Sequence, residues 1–126
     1  MKEGLGKKYM LCSKTVMSSV YEKGEIVKSY PFLMRYLPVE LKTEAPFQIV
    51  ISVPKRRFKK AVDRNRIKRL IKEAVRKKKH ILERSLEERE EQLAVFLIYT
   101  GQKEESYQKI SNKIETVFLR LVKERT

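Results

Sequence analysis

Apolar residues along the chain follow two spacings, and the switches between them mark the elements. Ser13 is a residue type that caps helices, and after it Val16, Met17, Val20 and Tyr21 fall on one helical face. Gly24 is then expected to close that helix in a left-handed conformation. Over 30–37 the period drops to two. Tyr30, Phe32, Met34 and Tyr36 share one face of a strand, Leu33, Arg35 and Leu37 the other, and Pro31 points to an edge or a strand start. Pro38 and Pro46 bracket a polar connection. In the next strand, 47–53, Phe47, Ile49, Ile51 and Val53 point one way and Gln48, Val50 and Ser52 the other, until Pro54 stops the ladder. From Val62 the period is helical again, through Ile67, Leu70, Ile71, Ala74 and Val75 and more weakly through Ile81, Leu82 and Leu86. The pattern leaves open a single long helix or a break near His80. A short apolar strand at 94–99 ends at Gly101, and Tyr107, Ile110, Ile114, Val117, Phe118 and Leu121 mark a closing amphipathic helix. The predicted order is α-β-β-α-β-α, an α/β (α+β) two-layer sandwich. If the strands flanking the long helix are parallel, that helix is their crossover.

At 126 residues the chain is expected to form one domain, 1–126, with 1–12 a flexible N-terminal segment and 55–79 a basic loop and helix. Charge changes the picture most. Lys and Arg number 30 against 16 Asp and Glu, a formal +14. Between residues 55 and 79 stand 14 basic residues against Asp63 and Glu73, so nearly all of the excess lies in one block. Such a block calls for a polyanion, because each cation that neutralises a phosphate releases condensed counterions. On a helical wheel Asn65, Lys68, Arg69, Lys72, Arg76 and Lys79 form one stripe opposite the apolar face. Arg66 flanks that face, and Arg64 lies towards the apolar side.

Other chemistry is sparse. No apolar run approaches the ~20 residues of a membrane span, and the first ten residues lack the apolar centre of a secretory signal. The single cysteine, Cys12, makes neither an internal disulfide nor a zinc site, which fits a reducing, cytoplasmic setting. His80, the only histidine, has no nucleophile near it in sequence, and the acidic run Glu87, Glu88, Glu90 and Glu91 reads as a solvated helix face among Lys and Arg. No catalytic residue and no metal site is expected in the chain. An anionic membrane or a calmodulin-like partner would want bulkier side chains than Ile, Leu, Ala and Val on the apolar face of the basic helix.

The run Phe58-Lys-Lys-Ala61-Val-Asp-Arg64-Asn65-Arg66-Ile67-Lys68-Arg69-Leu70-Ile71-Lys72 resembles the arginine-rich signature of the bacterial ribonuclease P protein subunit. The upstream Ile51-Ser52-Val53-Pro54-Lys55-Arg56 is similar to the strand and basic turn that precede it, and the first helix ending Val20-Tyr21-Glu22-Lys23-Gly24 also looks like the family. The resemblance implies a fold like domain 2 of ribosomal protein S5, with a left-handed βαβ crossover. It implies an RNA-binding subunit of an endoribonuclease, tRNA-processing ribonucleoprotein whose catalytic centre is RNA. That RNA uses Mg²⁺ to remove the 5′ leader from precursor tRNA, and the protein holds no cofactor tightly. The implied partners are the catalytic RNA and precursor tRNA, with no membrane and no protein partner required. A ribosomal or architectural RNA-binding protein with no role in cleavage is the alternative.

Carried over residue by residue, Arg64, Asn65, Arg66, Lys68 and Arg69 contact the catalytic RNA. Lys55, Arg56, Arg57, Lys59, Lys60, Lys72 and Arg76 extend that basic surface. Met17 and Tyr21 match leader-cleft positions that are usually aromatic, and Met17 departs from that pattern. With Phe47, Ile49 and Ile51 as core, Gln48, Val50 and Ser52 fall on the cleft face, as do Leu33 and Arg35. The opposite assignment would make Tyr30, Phe32 and Tyr36 a stacking platform for bases. The resemblance assigns no role to the longer segment 77–92.

Overall fold

The computed structural model describes residues 5–125. A short 3₁₀ turn, Lys7–Tyr9, precedes helix α1 (Lys14–Lys23), strands β1 (Glu25–Ser29), β2 (Phe32–Pro38) and β3 (Phe47–Ser52), helix α2 (Ala61–Arg89), strand β4 (Leu93–Tyr99) and helix α3 (Tyr107–Glu124). The four strands form one sheet in the order β1-β2-β4-β3. The β1/β2 and β2/β4 pairs are antiparallel, and β3 and β4 are parallel, joined by α2 as crossover.

Strand β1 is an addition to the expected order. Its sequence, Glu-Ile-Val-Lys-Ser, has only two apolar residues, adjacent to one another, so no alternation announces it. Only Val27 is buried, and β1 is held by its ladder with β2 at the sheet edge. Tyr30 belongs to the turn between them, beside a cis bond to Pro31, and is exposed rather than on the inner face of a strand.

Gly24 is also not as expected. It is extended, at φ −68° and ψ 147°, and its N–H donates to the Val20 carbonyl. Glycine is needed there for closeness rather than handedness: a Cβ would press on the Val20 carbonyl oxygen and lie 3.1 Å from that of Tyr36. The left-handed cap is on α2, where Glu90 (φ 54°) ends the helix and donates to Leu86 and Glu87 carbonyls. The start of α1 matches its sequence, with the Ser13 hydroxyl accepting from Val16 N–H at 3.2 Å. At the start of α2, Lys60 occupies the cap position with no side-chain cap bond.

The main core lies between one sheet face and α2 with α3. It takes Phe32, Met34 and Tyr36 from β2, Phe47 and Ile49 from β3, and Leu93, Val95, Leu97 and Tyr99 from β4. Helix α2 runs unbroken past His80. Its second half buries Leu82 and Leu86, and α2 packs along α3, so residues 77–89 of the segment 77–92 belong to the core-forming helix and 90–92 link it to β4. Behind the helix, Gln92 ties down the β2–β3 connection: its amide oxygen accepts from Leu41 N–H, and its nitrogen donates to the carbonyls of Thr43 and Ala45, each at 2.8 Å.

The N-terminal segment is packed from Leu5 on, against the expectation of a flexible 1–12; residues 1–4 of that range lie outside the described residues. Tyr9 and Leu11 are buried, Met10 bridges Ile49 in parallel, and Leu11 N–H donates to the Ile49 carbonyl at 3.0 Å. The Tyr9 hydroxyl donates to Glu83 at 2.5 Å, and the Lys79 ammonium lies 4.4 Å from its ring centre. The segment thus straps the open edge of β3 to the second half of α2.

Burial raises three tyrosines, Tyr9, Tyr36 and Tyr99, which ties stability to alkaline pH. Burial, followed by the bond to the Glu83 carboxylate, pushes Tyr9 up to about 12. Burial and then the charge of Glu105 push Tyr99 to about 12, and its hydroxyl donates to the Lys103 carbonyl at 2.7 Å. In each the folded value exceeds the unfolded one, near 10, so the stabilisation is complete below about pH 10 and is lost as pH rises through about 12. The urea midpoint should therefore be level between pH 8 and 9.5 and fall between about 10 and 12. In Tyr99→Phe the midpoint should start lower, for want of the Lys103 bond, and fall less steeply.

Candidate nucleic-acid interface

Helix α2 presents Ile67, Ile71, Ala74 and Val75 to the core, all fully buried. Asn65 and the basic residues from Arg64 to Arg76 lie off that face, and they fall into two groups. Arg64 is turned back onto the loop before the helix, where one guanidinium nitrogen donates to the carbonyls of Phe58 and Lys59 at 2.8 and 2.9 Å. Arg66 is clamped by carboxylates: Nε donates to both Glu104 oxygens at 2.8 and 2.9 Å, and Nη2 to Asp63 at 2.9 Å. These partners, Glu104 first, raise its already high pKa. Arg76 is paired with Glu73 one turn back, and its hydrogen bond holds the Glu73 carboxyl below its ordinary range.

The second group is Asn65, Lys68, Arg69 and Lys72, whose side chains make no hydrogen bond or ion pair among the described residues. All four line one groove of about 370 Å³ with Met10, Val50 and Ile51. The groove exists because β3 is the sheet edge, bordered beyond, among the described residues, by the Met10 bridge. Leading into α2, the loop turns at Pro54, whose carbonyl accepts from Arg57 and Phe58 N–H, and Phe58 packs on Tyr99 with ring centres 6.0 Å apart. Lys55, Arg56, Lys59 and Lys60 project from this loop into solvent, while Arg57 is half-buried.

On the other sheet face α1 covers β2 and β4. Leu11, Val20 and Ala94 form a small second core, with Val16, Met17, Leu37, Val39, Val50 and Phe96 around it. Phe32 and Tyr36 are inside the main core, so a platform of Tyr30, Phe32 and Tyr36 is not formed. Tyr21 is 63% exposed. Arg35 meets it from β2: the guanidinium lies 4.9 Å from the Tyr21 ring centre and donates to the Tyr21 carbonyl at 3.1 Å. Leu33 and Ser52 are half-buried on this face. Met17 packs against the small core, and Gln48 donates to the Lys8 carbonyl at 3.0 Å, which commits it to the strap. Val50 joins the two surfaces, lining the groove and touching the small core.

Sequence reasoning missed Met10, the wall of the groove, for which no periodicity gives a signal. Among the described residues no group of three or more His, Cys, Asp or Glu could hold a metal ion, and no helix is long and apolar enough to cross a membrane. His80 is exposed, with Nδ1 3.1 Å from the Lys77 carbonyl, and Cys12 is exposed and free.

The sequence profile of the Ribonuclease P family matches residues 5–122. The chain belongs to the ribonuclease P protein family. Among curated relatives, the ribonuclease P protein component of Porphyromonas gingivalis is 37% identical over 87 residues, 69% of this chain and 64% of that protein. The corresponding component of Chlorobaculum tepidum is 40% identical over 76 residues, 58% of this chain and 49% of that protein. The matched stretch thus spans less than two thirds of either relative. The structure of the Staphylococcus aureus RNase P protein superposes with a TM-score of 0.69 at 28% identity, over 93% of this chain and 97% of that one. The RNase P protein from Thermotoga maritima reaches 0.68 at 16% identity, over 91% and 96%, a likeness of fold alone. The mixed α+β fold, with four strands and three main helices, is that of the ribonuclease P proteins. In this member of the family the signature is split: Arg64 and Arg66 are held by protein groups, and Asn65, Lys68, Arg69 and Lys72 are left facing solvent.

Proposed function

We propose that the chain is the RNA-binding subunit of ribonuclease P and assists removal of the 5′ leader from precursor tRNA. The observation that carries this reading is the groove of unpartnered signature residues Asn65, Lys68, Arg69 and Lys72, whose Val50 also packs against the small core beneath α1, the helix that bears Tyr21. Cations without counterions suit phosphates of the catalytic RNA, aided by Lys55, Arg56, Lys59 and Lys60 on the loop. Of the other basic positions, Arg64 serves by fixing that loop, and Arg66 and Arg76 act from within ion pairs. The exposed Tyr21 ring, backed by the Arg35 guanidinium, suits a leader base, with Leu33 on the same strand as Arg35, Val50 and Ser52 one strand further across β4, and Met17 packed on the small core.

The chain supplies binding and orientation, and the hydrolytic step belongs to the RNA. Mg²⁺ serves that RNA. The setting that goes with this role is the bacterial cytoplasm.

Tyr21→Ala tests the leader face. Because the side chain is exposed, stability should change by less than about 0.5 kcal/mol. Affinity of the reconstituted holoenzyme for precursor tRNA should fall by roughly 1–3 kcal/mol, the worth of one base stacked on an aromatic ring. Affinity for mature tRNA, which has no leader, should hold. Equal losses on both would remove Tyr21 from the leader path.

A further inference from the structure

The groove beside β3 has a composition that phosphate binding alone leaves unexplained. Its wall on α2 carries three cations with no partner in the protein, which suits anionic oxygens. Its other lining is apolar: the half-buried side chains of Met10, Val50 and Ile51. Asn65 is the fourth polar member, and it differs in kind. Lysine and arginine only donate hydrogen bonds, whereas an amide presents a donor and an acceptor side by side. Phosphate oxygens only accept, so the Asn65 carbonyl oxygen gains nothing from them. A ligand that satisfies the whole groove has an apolar face, an edge bearing donors and acceptors, and a negative charge nearby. An unstacked nucleotide has all three.

We propose that the groove is a nucleotide subsite for single-stranded RNA. The base lies on Met10, Val50 and Ile51, its polar edge is read by the Asn65 amide, and the flanking phosphates meet Lys68, Arg69 and Lys72. The inference rests on the RNA-binding reading and adds to it a place where base identity is sensed. The site is largely pre-formed. Val50 and Ile51 belong to a strand, Asn65 to Lys72 to a helix anchored by Ile67 and Ile71, and Met10 is held by the bonds of the strap to Ile49 and Glu83. A duplex does not fit this chemistry, because its bases keep their faces stacked away from such a floor, whereas single strands are read by base faces and edges.

The test uses the full chain and five short RNAs of equal length: oligo-A, oligo-C, oligo-G, oligo-U and an abasic ribose–phosphate strand. Each affinity is measured across a salt series. The wild type should bind the preferred base about tenfold more tightly than the abasic strand, in line with one base contact, and should rank the four bases. Asn65→Ala, at an exposed position, should keep its melting temperature and its salt slope and lose the ranking. Lys68→Gln with Lys72→Gln should weaken all five strands alike and reduce the slope by about 1.4, at about 0.7 per phosphate on a single strand. The subsite is overturned if the abasic strand binds as well as the others, or if Asn65→Ala weakens every strand equally. If the wild type binds none of the five, the RNA-binding reading itself has failed, and that outcome is distinct from the other two. Asn65→Ala measured on the catalytic RNA, and on precursor against mature tRNA, then tells which molecule supplies the nucleotide.

Discussion

Replacing Lys68, Arg69 and Lys72 together by glutamine is expected to lower affinity for the catalytic RNA by at least about a hundredfold at moderate salt, since each charge-assisted contact contributes roughly 1.5–3 kcal/mol. The salt slope should fall by about two, at about 0.7 to 0.9 per phosphate lost. The fold should not notice. None of the three side chains makes a hydrogen bond or ion pair among the described residues, and glutamine is a good helix former. Arg66 is deliberately outside this set, because removing it would break its bonds to Glu104 and Asp63 and confound the two effects. The control is Lys103, Lys109 and Lys113 to glutamine, which removes the same formal charge from and beside α3. Of these, Lys109 lies 3.6 Å from Glu105 in an exposed pair of little worth. Filter binding or fluorescence anisotropy across a salt series reads both variants. If the two lose affinity alike, binding depends on net charge and the groove has no special role.

Leu82→Ala should cost about 2–5 kcal/mol, the range for emptying a fully buried leucine site. Leu82 is at 0% exposure where α2 packs on α3, on the stretch of helix for which the family signature offers no role. Against a typical total of about 5–15 kcal/mol that loss is large, and it should appear as a lower urea midpoint with an unchanged slope. Arg84→Ala, two residues on and exposed, should move the midpoint by less than about 0.5 kcal/mol equivalent. A small effect of Leu82→Ala would mean that the second half of α2 is an appendage and not part of the folding unit. RNA affinity of the folded fraction should stay at the wild-type level, because Leu82 touches no part of the groove.

The elements with strong periodicity are legible in the sequence to within a residue or so: β3, β4, α3 and the first half of α2. What the sequence conceals has identifiable causes. Strand β1 has one buried residue and borrows its stability from β2. Gly24 suggests a left-handed cap by its identity, but its real constraint is closeness: a Cβ would press first on the Val20 carbonyl oxygen one turn back and then approach that of Tyr36 on β2. The cationic stripe is visible on a helical wheel. Which of its members are free is not, because Arg66 is claimed by Glu104 at 38 positions' distance and Arg64 by backbone carbonyls. Gln48 has the right alternation for an open face, yet its amide is taken by the strap, whose place along β3 depends on Tyr9 finding Glu83 at 74 positions' distance.

Helix α2 begins at an uncapped lysine and carries a block of cations from Arg64 to Lys79, with Asp63 in its first turn and Arg89 beside Glu87 and Glu88 in its last. The terminal turns thus carry charges of both signs, and the helix dipole is felt only there, so what opposes this pattern is the repulsion among the cations themselves. The arrangement is electrostatically uphill, so the apolar face of the helix must hold it in place. Anions at the groove relieve that strain, and binding to the folded state alone adds stability by mass action, about 2.7 kcal/mol when the ligand stands at a hundred times its Kd. A polyanion bound there would then also protect the chain against heat. The isolated chain should melt earliest at low ionic strength, where its own cations repel each other unscreened, and later when a polyanion is added.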